Sequence, residues 1–148
     1  MMIGKALQAS DFEFDIVINS EGNKNPLNKQ IQGRIHDIPF THVNGSMTIG
    51  LSKPVRIFNF IKGIWATNKK IRQLAKKEKG IVYLYSQGSL YNAWVSLYAH
   101  LCKVPVVQEV NEWSAVTNQG KVKSWIYDRI MFRWAKGAIV ISTSIEKK

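Results

Sequence analysis

The chain contains almost no cysteine, which limits the cellular compartments and the kinds of structural site that can be expected. Cys102 is the single cysteine among 148 residues, so no internal disulfide can form. One thiol excludes a disulfide-stabilised secreted scaffold and a cysteine-based zinc site. The three histidines, His36, His42 and His100, have no spacing typical of metal ligands. We therefore expect a cytoplasmic protein of a reducing compartment, without a bound metal or other cofactor.

Long hydrophobic runs are missing too. The best stretch, Tyr91 to Cys102, contains Asn92 and Ser96 and falls short of the ~20 apolar residues that span a bilayer. The first residues lack the long apolar segment of a signal peptide. Glycine and proline contents, 10 and 4, are ordinary for a packed protein. The length predicts one domain, over residues 1–148.

Acidic residues are scarce beside the basic ones. The chain has ten Asp and Glu residues and 21 Lys and Arg residues, which gives a net charge of +11. This charge favours an anionic partner. Nine basic residues and one acid, Glu78, lie between Lys53 and Lys79, where apolar residues recur at helical spacing. This pattern predicts a basic amphipathic helix that rests on anionic lipid. The residues expected at the membrane surface are Arg56, Lys62, Lys69, Lys70, Arg72, Lys76 and Lys77.

The same charge pattern has two other interpretations. It is also typical of a solvated basic face whose apolar stripe is buried in the core. Nucleic acid is a third, less favoured partner, because no recognised nucleic-acid-binding module accompanies the charge. Four tryptophans at helical spacing are interpreted as core or helix-packing residues: Trp65, Trp94, Trp125 and Trp134.

Periodicity predicts an α/β fold. Runs of β-branched and aromatic residues predict five strands, at 14–18, 38–43, 81–85, 104–110 and 138–142. Between the later strands, apolar residues at helical spacing predict three helices, over about 57–74, 90–101 and 122–134. The alternation favours parallel crossovers, and hence a Rossmann-like three-layer domain with a mostly parallel sheet.

The remaining segments of the chain are less regular. Residues 19–33 are polar and predict a long loop. Residues 1–10 predict a helix where a doubly wound domain would open with a strand and a Gly-rich turn. The segment 142–146 predicts the start of a further helix. We therefore expect a chain truncated at both ends.

Polar residues follow two predicted strands and are the candidates for chemistry. No P-loop, G-x-G-x-x-G, G-x-S-x-G or H-E-x-x-H motif is present. Asn111 and Glu112 follow the 104–110 strand, at the edge where open α/β sheets bind ligands. An amide and a carboxylate there can hydrogen-bond sugar hydroxyls, with Glu112 as the candidate catalytic residue and Trp113 beside it. Ordinary loop hydrogen bonds explain these residues equally well, and Asp15 and Glu109 are weaker candidates.

The 81–85 strand ends in a similar way. Ser86, Gln87 and Gly88 follow it and lead into a predicted helix, whose first N–H groups can bind phosphate. The alternative is a structural turn with a serine cap.

Two of these segments together resemble a known family. The run Val104 to Trp113, followed by Ala135 to Ile145, resembles the N-terminal domain of family 4 glycosyltransferases. In these enzymes a P-V-V-x-E-x-x-E strand and an A-D-x-I-I-x-I-S-x-x-I strand recur in this order. The resemblance spans roughly residues 1–148 and is strongest from residue 79 onward. It implies one half of a GT-B fold, which consists of two Rossmann-like domains.

The resemblance implies a transferase. Such enzymes move a sugar with retention from a nucleotide-sugar donor to a glycan or lipid-linked acceptor, often in cell-envelope polysaccharide biosynthesis at the inner membrane face. Their N-terminal domain holds the acceptor, and a C-terminal domain, which we expect to be missing here, holds the donor through an E-x7-E motif. The chain departs from the family at Asn111, where many members have histidine, and in lacking a Gly-rich loop. We therefore expect no activity from the chain alone.

Two other classes of protein stay open. The chain can be a non-catalytic partner subunit that completes a separate donor-binding polypeptide. It can also be an unrelated basic α/β module with an anionic partner.

Overall fold

In the computed structural model the chain divides into two compact units, residues 1–67 and 68–148. Each unit contains a three-stranded sheet, and three of the four strand pairs among the described residues are parallel. The predicted α/β class with mostly parallel strands is therefore confirmed. The structure describes residues 13, 15–19, 30–35, 37–44, 51–77, 80–85, 90–110, 125, 129–130 and 132–140.

The first unit contains a mixed sheet. Its strands are β1 (Ile16–Ile18), β2 (Gln32–Ile35) and β3 (Ile38–His42), in the order β1-β3-β2. β1 runs parallel to β3, whereas β2 and β3 form an antiparallel hairpin. Alternate residues of β3 are buried, including Phe40 and His42, because one face of the sheet packs into the core.

The hairpin corrects one prediction. The segment 19–33 was expected to be loop throughout, yet Gln32 and Gly33 begin β2. The signal is weak because β2 is short and exposes alternate residues. The turn is held by Asp37, whose φ of 65° is left-handed, and by Arg34, whose Nη2 donates to the Asp37 carbonyl at 2.6 Å.

Helix α1 (Lys53–Ala75) confirms the helix predicted from the apolar spacing over 57–74. Ser52 precedes it, and the Ser52 carbonyl accepts the Arg56 N–H at 3.1 Å. Pro54 falls in the first turn, where its missing N–H costs nothing. The boundary between the two units falls within this helix, after Thr67.

A glycine in α1 allows a close approach to the loop after β3. A Cβ on Gly63 would lie 1.8 Å from Asn44 Oδ1, so no larger residue fits while Asn44 stays in place. Asn44 is held in turn by a hydrogen bond from its Nδ2 to the Asn19 carbonyl, at 2.6 Å. Gly63 and Asn44 therefore form one packed contact inside the first unit.

The second unit contains a parallel sheet. Its strands are β4 (Val82–Leu84), β5 (Val106–Val110) and β6 (Gly137–Val140), in the order β4-β5-β6. The three later strand predictions are thus confirmed. The central strand β5 is almost wholly buried, whereas all four residues of the edge strand β6 are exposed.

Helix α2 (Leu90–Leu101) connects β4 to β5 and matches its prediction. It ends at Leu101, and the left-handed φ of 60° at Lys103 caps it by allowing the Val104 N–H to bond the Ala99 carbonyl at 2.9 Å. The last turns of α1 pack against α2 through Trp94, whose Nε1 donates to Asn68 Oδ1 at 3.1 Å. Arg72 also contacts α2, since its Nε donates to the Tyr98 hydroxyl.

The helix predicted over 122–134 lies largely outside the described residues, and residues 132–134 form a turn. In the part of the chain that the structure describes, neither helix combines the length and apolar character that a membrane span needs. The assignment of the whole chain to one Rossmann-like domain stays a prediction.

Candidate functional site

The carboxyl ends of the three parallel strands meet at one edge of the second sheet. Leu84 of β4 aligns with Gln108 of β5, and Val110 of β5 aligns with Val140 of β6. In open α/β sheets ligands bind outside this edge. We call it the carboxyl edge.

The predicted substrate residues follow these strand ends along the chain. Asn111, Glu112 and Trp113 come directly after Val110, and residues 86–88 come directly after Tyr85. Ser86, Gln87, Gly88, Asn111, Glu112 and Trp113 all lie outside the described residues. The structure therefore describes the strands that lead to them, and their roles stay predictions.

Gln108 ties β4 to β5 just before the carboxyl edge. Its side chain is fully buried, and its Nε2 donates to the Leu84 carbonyl at 3.3 Å and to the Glu109 carbonyl at 3.0 Å. Burying an amide costs free energy unless it is hydrogen-bonded. These two bonds offset that cost and fix the end of β4 against β5.

Glu109 provides a second tie between the same strands. The side chain is only 2% exposed, and its Oε2 accepts a hydrogen bond from the Tyr83 hydroxyl. Tyr83 aligns with Val107, so Tyr83 and Glu109 share the face opposite Gln108. A carboxylate this deeply buried cannot contact a ligand directly, but it can hold the β5 backbone that leads to Asn111.

Sequence reasoning gave Glu109 a minor place and did not consider Gln108 or Tyr83. A signal for them exists, because Gln108 and Glu109 interrupt an otherwise apolar strand on both of its faces. Polar residues on both faces of a central parallel strand must find partners inside the fold. The partners themselves, a carbonyl of β4 and a tyrosine of β4, follow only from the strand register.

The second unit has a cleft of about 530 Å³, formed by residues that come before β6 in the chain. It is lined by Trp125, Arg129, Ile130, Arg133 and Trp134. The Arg133 guanidinium lies 5.9 Å from the centre of the Trp134 ring, within range of a cation–π contact. Guanidinium groups bind phosphate and carboxylate, and indole faces stack on flat or apolar ligand surfaces. The cleft is thus lined by basic and aromatic side chains.

The exposure of the tryptophan side chains corrects part of their interpretation. Trp65 is 68% exposed and Trp125 is 59% exposed, so the prediction of core residues is wrong for these two, because helical spacing identifies a shared face but not what that face contacts. Trp94 is 40% exposed but donates a hydrogen bond to Asn68 of α1, which agrees with its interpretation as a helix-packing residue. Trp134 is half-buried.

The predicted membrane-surface residues belong to α1 and the turn after it. Six are exposed and Lys70 is half-buried; the exposed six are Arg56, Lys62, Lys69, Arg72, Lys76 and Lys77. Arg72 also lies 5.7 Å from the centre of the Tyr98 ring and is thus partly engaged by α2.

The first unit has a buried polar residue of its own at the end of β3. His42 is 3% exposed, and burial lowers its pKa below the ordinary value. Its ring packs edge-on against Phe40, with centroids 5.7 Å apart. Among the described residues, its Nδ1 has no hydrogen-bond partner. The neutral imidazole is therefore the form that the fold accommodates.

No group of three or more His, Cys, Asp or Glu side chains in the described ranges is arranged to hold a metal ion. The expected absence of a metal stays a prediction. Comparison of the chain with protein-family models, with curated proteins and with solved structures gave no match.

Proposed function

We propose that the chain is the acceptor-side, Rossmann-like domain of a glycosyltransferase. It takes part in retaining transfer of a sugar from a nucleotide sugar to a glycan or lipid-linked acceptor, at the cytoplasmic face of a membrane. The observation that carries the proposal is the parallel arrangement of β4, β5 and β6. This arrangement places the carboxyl ends of β4 and β5 at one edge of the sheet. The polar segments 86–88 and 111–113 follow these two strand ends along the chain.

In this proposal each residue has a role at the carboxyl edge. Glu112 accepts hydrogen bonds from the acceptor or orients its attacking hydroxyl, and Asn111 hydrogen-bonds a second hydroxyl. Trp113 packs on the sugar ring, and the N–H groups of residues 86–88 bind phosphate. No metal takes part.

The buried ties inside the sheet act as positioning groups. Gln108 and Glu109 hold β5 against β4 through the Leu84 carbonyl and the Tyr83 hydroxyl. Rigid support of this kind matters because sugar transfer between two domains depends on positioning and electrostatic stabilisation. A second domain, on another polypeptide or another part of the gene product, would supply the donor.

The proposal is tested by titrating the isotope-labelled protein with a water-soluble isoprenyl diphosphate sugar while its amide NMR signals are recorded. We expect shifts at residues 86–88 and 111–113. Glu112→Gln should weaken binding about tenfold or more, because it removes charge-assisted hydrogen bonds. Glu13→Gln, an exposed glutamate in the first unit, serves as the control. Shifts confined to other residues, or equal binding by Glu112→Gln, would contradict the site.

Activity provides a separate prediction. The purified 148-residue chain should transfer no sugar from UDP-glucose or GDP-mannose to that acceptor, since half of a cleft cannot position both substrates. Product formation by this chain alone, measured by mass spectrometry, would overturn the prediction while leaving acceptor binding to be judged by NMR.

A non-catalytic function is the second candidate. The exposed basic residues of α1 favour a binding module or partner subunit with an anionic partner. Copurification of a donor-binding polypeptide would favour a partner subunit, and binding of duplex or single-stranded DNA with a steep salt dependence would favour a nucleic-acid-binding module.

A further inference from the structure

The cleft in the second unit combines two kinds of side chain. Among its five described lining residues, Arg129 and Arg133 are basic, Trp125 and Trp134 carry indole rings, and none is acidic. Trp125 is 59% exposed, and both arginines are exposed. The two guanidinium groups and the Trp125 ring are therefore accessible from solvent. We call these four residues the Arg-Trp cluster.

The core of the second unit supports the Arg-Trp cluster. Ile130 and Phe132 lie between the two arginines in the chain and pack against Ala93 of α2 and Val110 of β5. The Arg133 N–H donates to the Ile130 carbonyl at 3.2 Å. Because the residues between the arginines are anchored in this way, the arginines extend from a supported backbone, as a binding site requires.

One guanidinium of the cluster is already oriented by an aromatic ring. The Arg133 guanidinium lies 5.9 Å from the centre of the Trp134 ring. A cation–π contact uses the charge of the guanidinium and none of its five N–H donors. The contact therefore positions Arg133 and leaves its donors for an anionic ligand.

The second unit carries most of the positive charge of the protein. Residues 68–148 contain 14 Lys and Arg residues and five Asp and Glu residues, a net charge of +9 out of +11. One of the five acids, Glu109, is buried. Between residues 121 and 136 the chain has five basic residues, four aromatic residues and one acid, Asp128. Basic and aromatic side chains in one cleft are typical of sites for single-stranded nucleic acid.

We propose that the Arg-Trp cluster binds single-stranded nucleic acid. The indole faces stack on bases that have no partner strand, and the guanidinium groups hydrogen-bond the phosphates beside those bases. A volume of about 530 Å³ lies within the range of small-ligand sites, so the cleft takes a short stretch of the strand. The inference does not depend on glycosyl transfer, because it rests only on the residues that line the cleft.

Charge and shape favour a single strand over the other occupants. A neutral glycan would stack on the indole rings but would leave the two guanidinium groups without an anion. A duplex keeps its bases stacked on one another, so the indole rings would meet only its backbone. An acidic peptide would supply carboxylates but no regular series of flat rings to match two indoles.

The experiment measures the fluorescence anisotropy of a labelled twelve-nucleotide oligothymidylate during titration with the intact chain. We expect binding that is displaced by the unlabelled single strand. Duplex DNA of the same length, inorganic polyphosphate of the same charge and a glutamate-rich peptide should each compete at least about tenfold less well, because they offer no accessible bases. Absence of binding, or competition by any of these three that equals that of the single strand, would overturn the proposal.

Charge variants test the two arginines. Each phosphate contact to a single strand contributes about 0.7 to the slope of log affinity against log salt concentration. Arg129→Gln/Arg133→Gln should therefore reduce that slope by about 1.4. The control Lys69→Gln/Lys76→Gln removes the same charge from exposed positions of the same unit and should leave the slope almost unchanged. Equal reductions in both pairs would mean nonspecific attraction by net charge and would contradict the site.

Aromatic variants test the stacking. Trp125→Ala should weaken binding of the oligothymidylate about tenfold, and Trp125→Phe should restore part of the loss because it keeps an aromatic face. Trp65→Ala is the matched control, since Trp65 is 68% exposed and lies in the first unit; it should bind normally. Both side chains are exposed, so circular dichroism should show little loss of stability. The proposal fails if Trp125→Ala binds as the parent does, or if Trp65→Ala loses as much.

Discussion

The two sheets differ in the contacts of the polar side chains buried at their strand ends. In the second sheet, Gln108 and Glu109 are buried at the end of the central strand and are hydrogen-bonded to β4. In the first sheet, His42 is buried at the end of β3, and its Nδ1 has no hydrogen-bond partner among the described residues. Hydrogen bonds between strands tie them together, whereas a buried imidazole makes folding sensitive to its protonation. The bonds between β4 and β5 therefore support the carboxyl edge of the second sheet.

The largest expected effect is at Glu109. Glu109→Ala should lower the free energy of unfolding by about 3 kcal/mol, because it leaves the Tyr83 hydroxyl without this acceptor and opens a cavity. Urea denaturation provides the measurement. Tyr83→Phe in the same background should cost little further, since the partner is already lost. Full additivity of the two substitutions would show that the pair does not act as a unit.

An intermediate effect is expected at Gln108. Gln108→Met keeps the side-chain length but removes the bonds to the Leu84 and Glu109 carbonyls, so it should cost about 1–2 kcal/mol. Amide hydrogen exchange of β4 should quicken more than that of β3. Equal protection in the variant and the parent would mean that the tie between the strands adds no rigidity.

The smallest effect is expected at His42 and depends on pH. Because burial lowers the His42 pKa in the folded state, the unfolded chain takes up the proton first, near pH 6.5. The contribution of His42 to the free energy of unfolding is fully retained above about pH 6.5. Below that pH the free energy of unfolding falls, by at most about 1.4 kcal/mol per pH unit.

The control for that pH dependence is His42→Phe, which cannot titrate. Thermal melts of the two proteins between pH 7.5 and 5 should diverge as pH falls, with the parent losing more stability. Parallel curves would show that His42 contributes nothing to the pH dependence, and the contrast between the two sheets would lose its thermodynamic basis.

Regular elements followed from the sequence where burial is strong. The apolar run at 104–110 predicted β5, and the spacing from Leu90 to Leu101 predicted α2, since periodicity records which residues enter the core. The sequence did not predict β2, because this strand has only four residues and pairs with β3 through a local hairpin. Its glycine, Gly33, resembles a loop residue until Phe40 is seen opposite it.

The candidate site was predicted less completely. Strand ends identified the segments 86–88 and 111–113 from general rules for α/β sheets. The ties at Gln108 and Glu109 depend on strand register, which brings together residues about 25 positions apart and leaves no local signature. Likewise, the spacing of Trp65 predicted a shared helix face, but only tertiary packing decides whether that face is buried or exposed.

The contact between Gly63 and Asn44 has an evolutionary consequence. A Cβ at position 63 would fall 1.8 Å from the Asn44 oxygen, so a mutation that enlarges residue 63 is tolerated only if residue 44 shrinks or turns away. The opposite order is permitted, because a smaller residue 44 leaves Gly63 unstrained. Divergence at this pair should therefore be directional, with changes at position 44 appearing in a lineage before any at position 63.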